Sequence, residues 1–189
     1  MTAPSTSARW GRMRGPILAA VVAGAGLRLA LPTVFTYLDD ERWTFEHVAS
    51  ALRGGGLETL GMPSSTGVRN APLSVWAFVA VGWLGHVSTP VGLTRGVAVL
   101  GLVALIAGLA FLPRLVPTDA EGEAWAWGLV LTSTNPAIVF LERKIWAQSL
   151  LPAIDVALLC AWMRRERSAA SFAWGLLGPI AGQIHMAGF

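Results

Sequence analysis

Residues 93–113 read LTRGVAVLGLVALIAGLAFLP, an apolar run whose one charge, Arg95, stands near its beginning. A segment of this kind meets the roughly 20 residues needed to cross about 30 Å of hydrocarbon. Working outward from it, residues 16–36, 123–141, 145–163 and 171–189 meet or approach the same length, and 72–88 form a shorter apolar run. The whole composition agrees, since 54% of the residues are hydrophobic, 13% are charged and the mean hydropathy is +0.57. A soluble domain would need more polar surface than these residues can supply. The pattern predicts an all-α fold, a polytopic membrane helix bundle forming a single domain over 1–189.

The formal charge of +3 does not point to nucleic acid, because the arginines flank the apolar runs, where they set membrane orientation. Arg9, Arg12 and Arg14 precede the first run and Arg164, Arg165 and Arg167 follow the fourth. Both clusters belong on the cytoplasmic side, so an even number of crossings must separate them. Counting 72–88 as a crossing would put the second cluster outside. Lying in the interface, with Trp76 and Trp83 at its surface, that run leaves every strong arginine cluster inside. The expectation is therefore a retained signal anchor with a cytoplasmic N-terminus and a large extracytoplasmic loop over 37–92. Glu142, Arg143 and Lys144 return to that same outer side.

That loop opens with YLDDERWTFEHV, residues 37–48, where Asp39, Asp40 and Glu41 stand in succession. Over 40–53, Phe45, Val48, Ala49 and Leu52 fall on one helical stripe, with Arg42, Glu46 and Arg53 opposite. The expected element is an amphipathic interfacial helix with Asp39 or Asp40 at its N-cap. Glu41 instead falls on the apolar stripe, where an unpaired charge is costly. A carboxylate held there suits a general base acting on a hydroxyl, or a metal ligand. The Gly54–Gly56 cluster through Gly67 reads as a flexible connection to the next interfacial helix.

Asp40-Glu41, Ala49, Leu52 and Gly54-Gly55, then Ala71-Pro72-Leu73, Gly92 and Arg95, form an ordered series. LERKIWAQSLLP and the terminal GQIHMAGF extend it. The series resembles the bacterial relatives of protein O-mannosyltransferases and the lipid A aminoarabinose transferase, integral membrane glycosyltransferases of the GT-C type. The resemblance implies transfer of a sugar from a polyprenyl-phosphate donor to a lipid, glycan or protein acceptor outside a bacterial cytoplasmic membrane. By motif position it puts the acceptor-activating carboxylate on Asp40, with Glu41 beside it. The family's basic residue near the Pro-Leu motif is replaced by Ala71, leaving Arg69 as a nearby substitute. A second family carboxylate before the fourth span is leucine here, with Glu142 as a stand-in. Family members run longer than this chain, so residues 1–189 are expected to be an N-terminal portion.

Arg95, Arg143 and Lys144 have the charge to contact a phosphate, and each also reads as an interfacial anchor or solvated loop cation. His185 is a substrate-lining candidate or a hydrogen-bonded structural histidine. Arg28 and Asp155 lie inside apolar runs and could pair. Cys160 has no second cysteine to join, and His47, His86 and His185 lack zinc-site spacing. A divalent cation on carboxylates is the one cofactor left open. The alternative function is a membrane transporter or a non-catalytic membrane scaffold, which would concentrate ionisable groups near the midplane.

Overall fold

Thr89 starts the helix at the centre of the fold. Its hydroxyl accepts a 3.1 Å hydrogen bond from the Gly92 N–H, and Pro90 occupies the first turn, where a missing N–H is harmless. From there α4 runs over Pro90–Leu115, 26 residues or about 39 Å. In the computed structural model, which describes residues 6–30, 35–63, 68–116 and 118–185, with the side chains of the first helix described from Gly15, it is the one described helix long and apolar enough to cross a membrane. One stripe, with Leu93, Val97, Gly101, Leu105, Gly108 and Leu112, is buried, whereas Val99, Val103 and Ile106 remain exposed.

Around α4 lie α1 (Thr6–Leu29), α3 (Leu73–Leu84), α5 (Asp119–Thr134) and α7 (Leu151–Met163). The remaining helices are α2 (Asp39–Leu52), α6 (Pro136–Leu141) and α8 (Ser168–Ile184). Among the described residues the one extended pairing is an isolated antiparallel bridge between Pro63 and Arg69, so the all-α expectation is met. Residues 64–67, with Gly67, lie outside the described residues, as do the side chains of Arg9, Arg12 and Arg14.

Two apolar clusters define two poles. The first joins Val48 of α2, Val75 and Phe78 of α3, Leu93 and Val97 of α4, then Ile145, Leu150 and Ile184. The second joins Leu105 and Leu112 of α4 to Leu129, Trp125, Leu159 and Met163. The ends of α4 and α7 therefore meet at the pole opposite α2 and α3. At 12 residues α3 is about 18 Å long, well short of a hydrocarbon core. Gly82 brings it close to α2, since a Cβ there would lie 2.9 Å from Leu52 Cδ1.

Several boundaries differ from the sequence expectation. The run 123–141 is not one helix: α5 ends at Thr134, and Asn135 caps a new short helix by accepting from Ala137 N (2.9 Å) and Ile138 N (3.3 Å). Pro136 explains the break, because it disfavours helical geometry at the residue before it and has no N–H to continue the ladder. The run 145–163 begins with a 3-10 turn at Ala147–Leu150 before α7 starts. The helix after Tyr37 begins on Leu38, not on an aspartate: Asp39 and Asp40 occupy its first turn, and Glu41 reaches back to accept from the Leu38 N–H at 3.1 Å. The stripe on α2 is as expected, with Val48 buried and Arg42, Glu46 and Arg53 exposed.

Candidate functional site

Successive residues on a helix point about 100° apart, and in the first turn of α2 this separates neighbouring carboxylates. Asp40 and Thr44, one turn apart, line a cavity of about 630 Å³. Glu41 turns inward instead, is fully buried, and meets Lys144 with Oε1 to Nζ at 3.3 Å. Its remaining acceptor capacity is taken by the Leu38 N–H and, at 3.4 Å, by the Thr36 hydroxyl. The energetic objection to a charge on the apolar stripe is thus met by a cation from a distant segment.

That segment is the break between α6 and α7. After Leu141 the chain turns through Glu142, Arg143 and Lys144, held by Arg143 N–H to Phe140 O and Lys144 N–H to Leu141 O. Ser149 closes the loop with its hydroxyl on Leu141 O at 2.6 Å. Lys144 is not a solvated loop cation. It is 4% exposed, its Nζ lies 3.4 Å from the centre of the Trp146 ring, and Phe140 is 5.0 Å away. A desolvated cation over aromatic faces gains electrostatic attraction beyond its ion pair.

Glu142 is the second buried acid, and it pairs with Arg28 of α1, which also donates to Gly24 O and Ser133 O. The partner of Arg28 is therefore Glu142, not Asp155, and the exposed Asp155 shares only a cavity of about 460 Å³ with that pair. Burial pushes the Glu142 carboxyl up from its ordinary value, while the Arg28 guanidinium pulls it down. Gly101 makes the contact sterically feasible, since a Cβ there would lie 2.5 Å from Glu142 Oε1. Glu142 is absent from the cavity wall that Asp40 joins, so a two-carboxylate centre of Asp40 and Glu142 is not assembled.

The Asp40 cavity is built from four chain segments. Thr44 comes from α2; Asn70 and Ser74 come from the start of α3; Trp146 and Gln148 come from the break, with His185 from the end of α8. Gln148 Nε2 lies 3.0 Å from His185 Nε2, and the Asn70 amide is oriented by donating to Met62 O at 2.9 Å. The Trp146 indole N–H is buried without an acceptor among the described residues. Among the described residues Asp40 is the one acidic or basic side chain in this wall besides the imidazole of His185. Met62, Val75, Phe78, Ile145 and Ile184 make the rest of the wall apolar. The amides, hydroxyls, indole N–H and carboxylate set among them therefore suit a neutral ligand that has both hydroxyls and apolar faces, with a proton acceptor beside it.

A second cavity, of about 720 Å³, lies along the same segment. Leu27, Phe35, Pro136, Val139 and Phe140 give it an apolar wall, while Arg143 and Lys144 supply cations. This pairing of apolar wall and cation fits an anionic amphiphile. Arg143 is anchored by donating to Leu27 O at 3.2 Å. Arg95 is exposed and comes near Arg28 and Arg143 around a void of only about 10 Å³. Arg69 is exposed on the Pro63 bridge and belongs to neither cavity.

Asp40 and His185, two of the sequence candidates, thus meet in one cavity, and Arg143 and Lys144 meet in its neighbour. Trp146, Gln148, Asn70 and Thr44 were not singled out by the sequence. The available signal was WAQS at 146–149, an indole, an amide and a hydroxyl directly after a charged break. Among the described residues no group of three His, Cys, Asp or Glu could hold a metal ion. Comparison with protein-family models, with curated proteins and with solved structures returns no match.

Proposed function

We propose that the chain forms part of a multi-pass membrane glycosyltransferase that moves a sugar from a polyprenyl-phosphate donor to an acceptor on the extracytoplasmic face of a bacterial cytoplasmic membrane. The observation that carries this reading is the pair of cavities flanking one segment, Phe140–Gln148. A cavity of mixed polar and apolar wall holds Asp40, and a mainly apolar, cation-bearing cavity holds Arg143 and Lys144. The acceptor hydroxyl gives its proton to Asp40 as its oxygen attacks the anomeric carbon. The bond from that carbon to the phosphate oxygen breaks, and the phosphate leaves with the electron pair beside Arg143 and Lys144. Exposed apolar residues on α1, α4, α5 and α8, among them Leu18, Val103, Leu131 and Phe172, support a lipid surround.

Transport is the competing reading, supported by Asp155 on an apolar helix beside the Arg28–Glu142 pair. Vesicles reconstituted with the protein and a panel of sugar-labelled polyprenyl phosphates separate the two. Glycosyl transfer consumes one donor and releases polyprenyl phosphate together with a labelled acceptor. Movement of label across the vesicle with every donor intact would establish transport instead.

A further inference from the structure

The turn between α7 and α8 lies at the pole opposite the two cavities, because Leu159 and Met163 pack with Leu112 and Trp125 of the second cluster. It carries Arg164, Arg165 and Arg167, all exposed, and none forms an ion pair among the described residues. Glu166 is exposed in the same turn, leaving an excess of two positive charges over residues 164–167 (three arginines less one glutamate).

Arg165 is held rather than free to wander. Its guanidinium carbon lies 4.2 Å from the centre of the Trp162 ring, and one of its terminal N–H groups donates to Trp162 O at 3.1 Å. The hydroxyl of Ser171 on α8 in turn donates to Arg165 O. Trp162 packs against Trp174 of α8 with ring centres 5.3 Å apart, and each tryptophan remains 45% exposed. Beyond them α8 exposes Phe172 and Leu176.

We infer that this turn binds the headgroup of an anionic phospholipid. A guanidinium seated on an indole face keeps its outer N–H donors directed away from the ring, where they can bond a phosphate oxygen. Flanking arginines add attraction to anionic lipid. Exposed tryptophans beside them have the mixed apolar and polar character of residues at headgroup level. A free phosphate would use the guanidiniums alone, whereas a lipid also covers the indoles and the apolar face of α8. The inference rests on membrane association and not on glycosyl transfer.

The test uses the purified chain in uncharged detergent, titrated with short-chain fluorescent phosphatidylglycerol and with the phosphatidylcholine analogue. Phosphatidylglycerol should bind more tightly, and each replacement in the series Arg164→Gln, Arg165→Gln, Arg167→Gln should weaken it about fivefold. Trp162→Leu should weaken it too, while Arg53→Gln, exposed at the other pole and in neither cavity, should not. Raising salt from about 0.05 to 0.5 M should reduce binding to the unaltered chain, a readout that needs no variant to fold. Equal affinity for the two lipids, insensitivity to salt, or displacement by inorganic phosphate at the lipid's own concentration would overturn the inference.

Discussion

Replacing Glu41 with Gln separates a structural carboxylate from a catalytic one. The substitution keeps size and hydrogen-bonding capacity but leaves the Lys144 ammonium buried at 4% exposure without its counter-ion. Removing one partner of a buried pair costs about 3–5 kcal/mol. The Trp146 ring at 3.4 Å remains and is worth about 2 kcal/mol to a desolvated cation, which places the loss near the lower end of that range. For a chain of this size 1 kcal/mol shifts Tm by about 2–4 °C, so Glu41→Gln should lower it by about 6–12 °C. Lys144→Met should do comparable harm by stranding Glu41. The double variant strands neither charge, and its loss should be well below the sum of the two. Thermal unfolding in detergent, followed by tryptophan fluorescence, gives all three values. Additive losses, or single-variant shifts below about 2 °C, would show that the two side chains do not depend on each other.

Gly101→Ala puts a methyl group against the Glu142 carboxylate, and overpacking of this kind costs about 1–3 kcal/mol; Tm should fall while Gly26→Ala, with open space around it, leaves it nearly unchanged. Arg143→Gln should raise KM for a polyprenyl-phosphate donor more than for the acceptor, read by steady-state kinetics with each substrate varied in turn; equal effects would remove Arg143 from the phosphate site. Single cysteines at Ser65 and Ser88, in a background lacking Cys160, should both react with an impermeant thiol reagent from outside. Labelling of Ser88 only after permeabilisation would make α3 a crossing.

Much of the helical layout was legible because its signal is local. The apolar run at 93–113 and the stripe of Phe45, Val48, Ala49 and Leu52 need only periodicity, and α4 and α2 follow them. The break at Asn135-Pro136 was written just as locally, yet an averaged apolar run hides it. The site was less legible. The misfit of Glu41 was visible from helical spacing, but its partner lies in a segment remote in sequence, and nothing local makes Lys144 a buried residue. For the same reason the sequence offers Asp155 as a possible partner of Arg28, whereas packing of α1 against α5 and the α6–α7 break brings Arg28 to Glu142. Trp146 and Gln148 acquire meaning only once that break faces α2 and the end of α8.

Turnover of the Asp40→Asn variant is the most direct measure of the account. Asp40 is exposed, lines the first cavity and makes no ion pair among the described residues, so the substitution should leave Tm within about 1–2 °C of the parent, as for surface changes of about 0.5 kcal/mol or less. If its carboxylate takes the acceptor's proton, sugar transfer from the polyprenyl-phosphate donor should fall roughly 100-fold or more, while Asp39→Asn stays close to the parent. A folded Asp40→Asn protein that transfers sugar at the parent rate would contradict the assignment of the cavity as the reaction site.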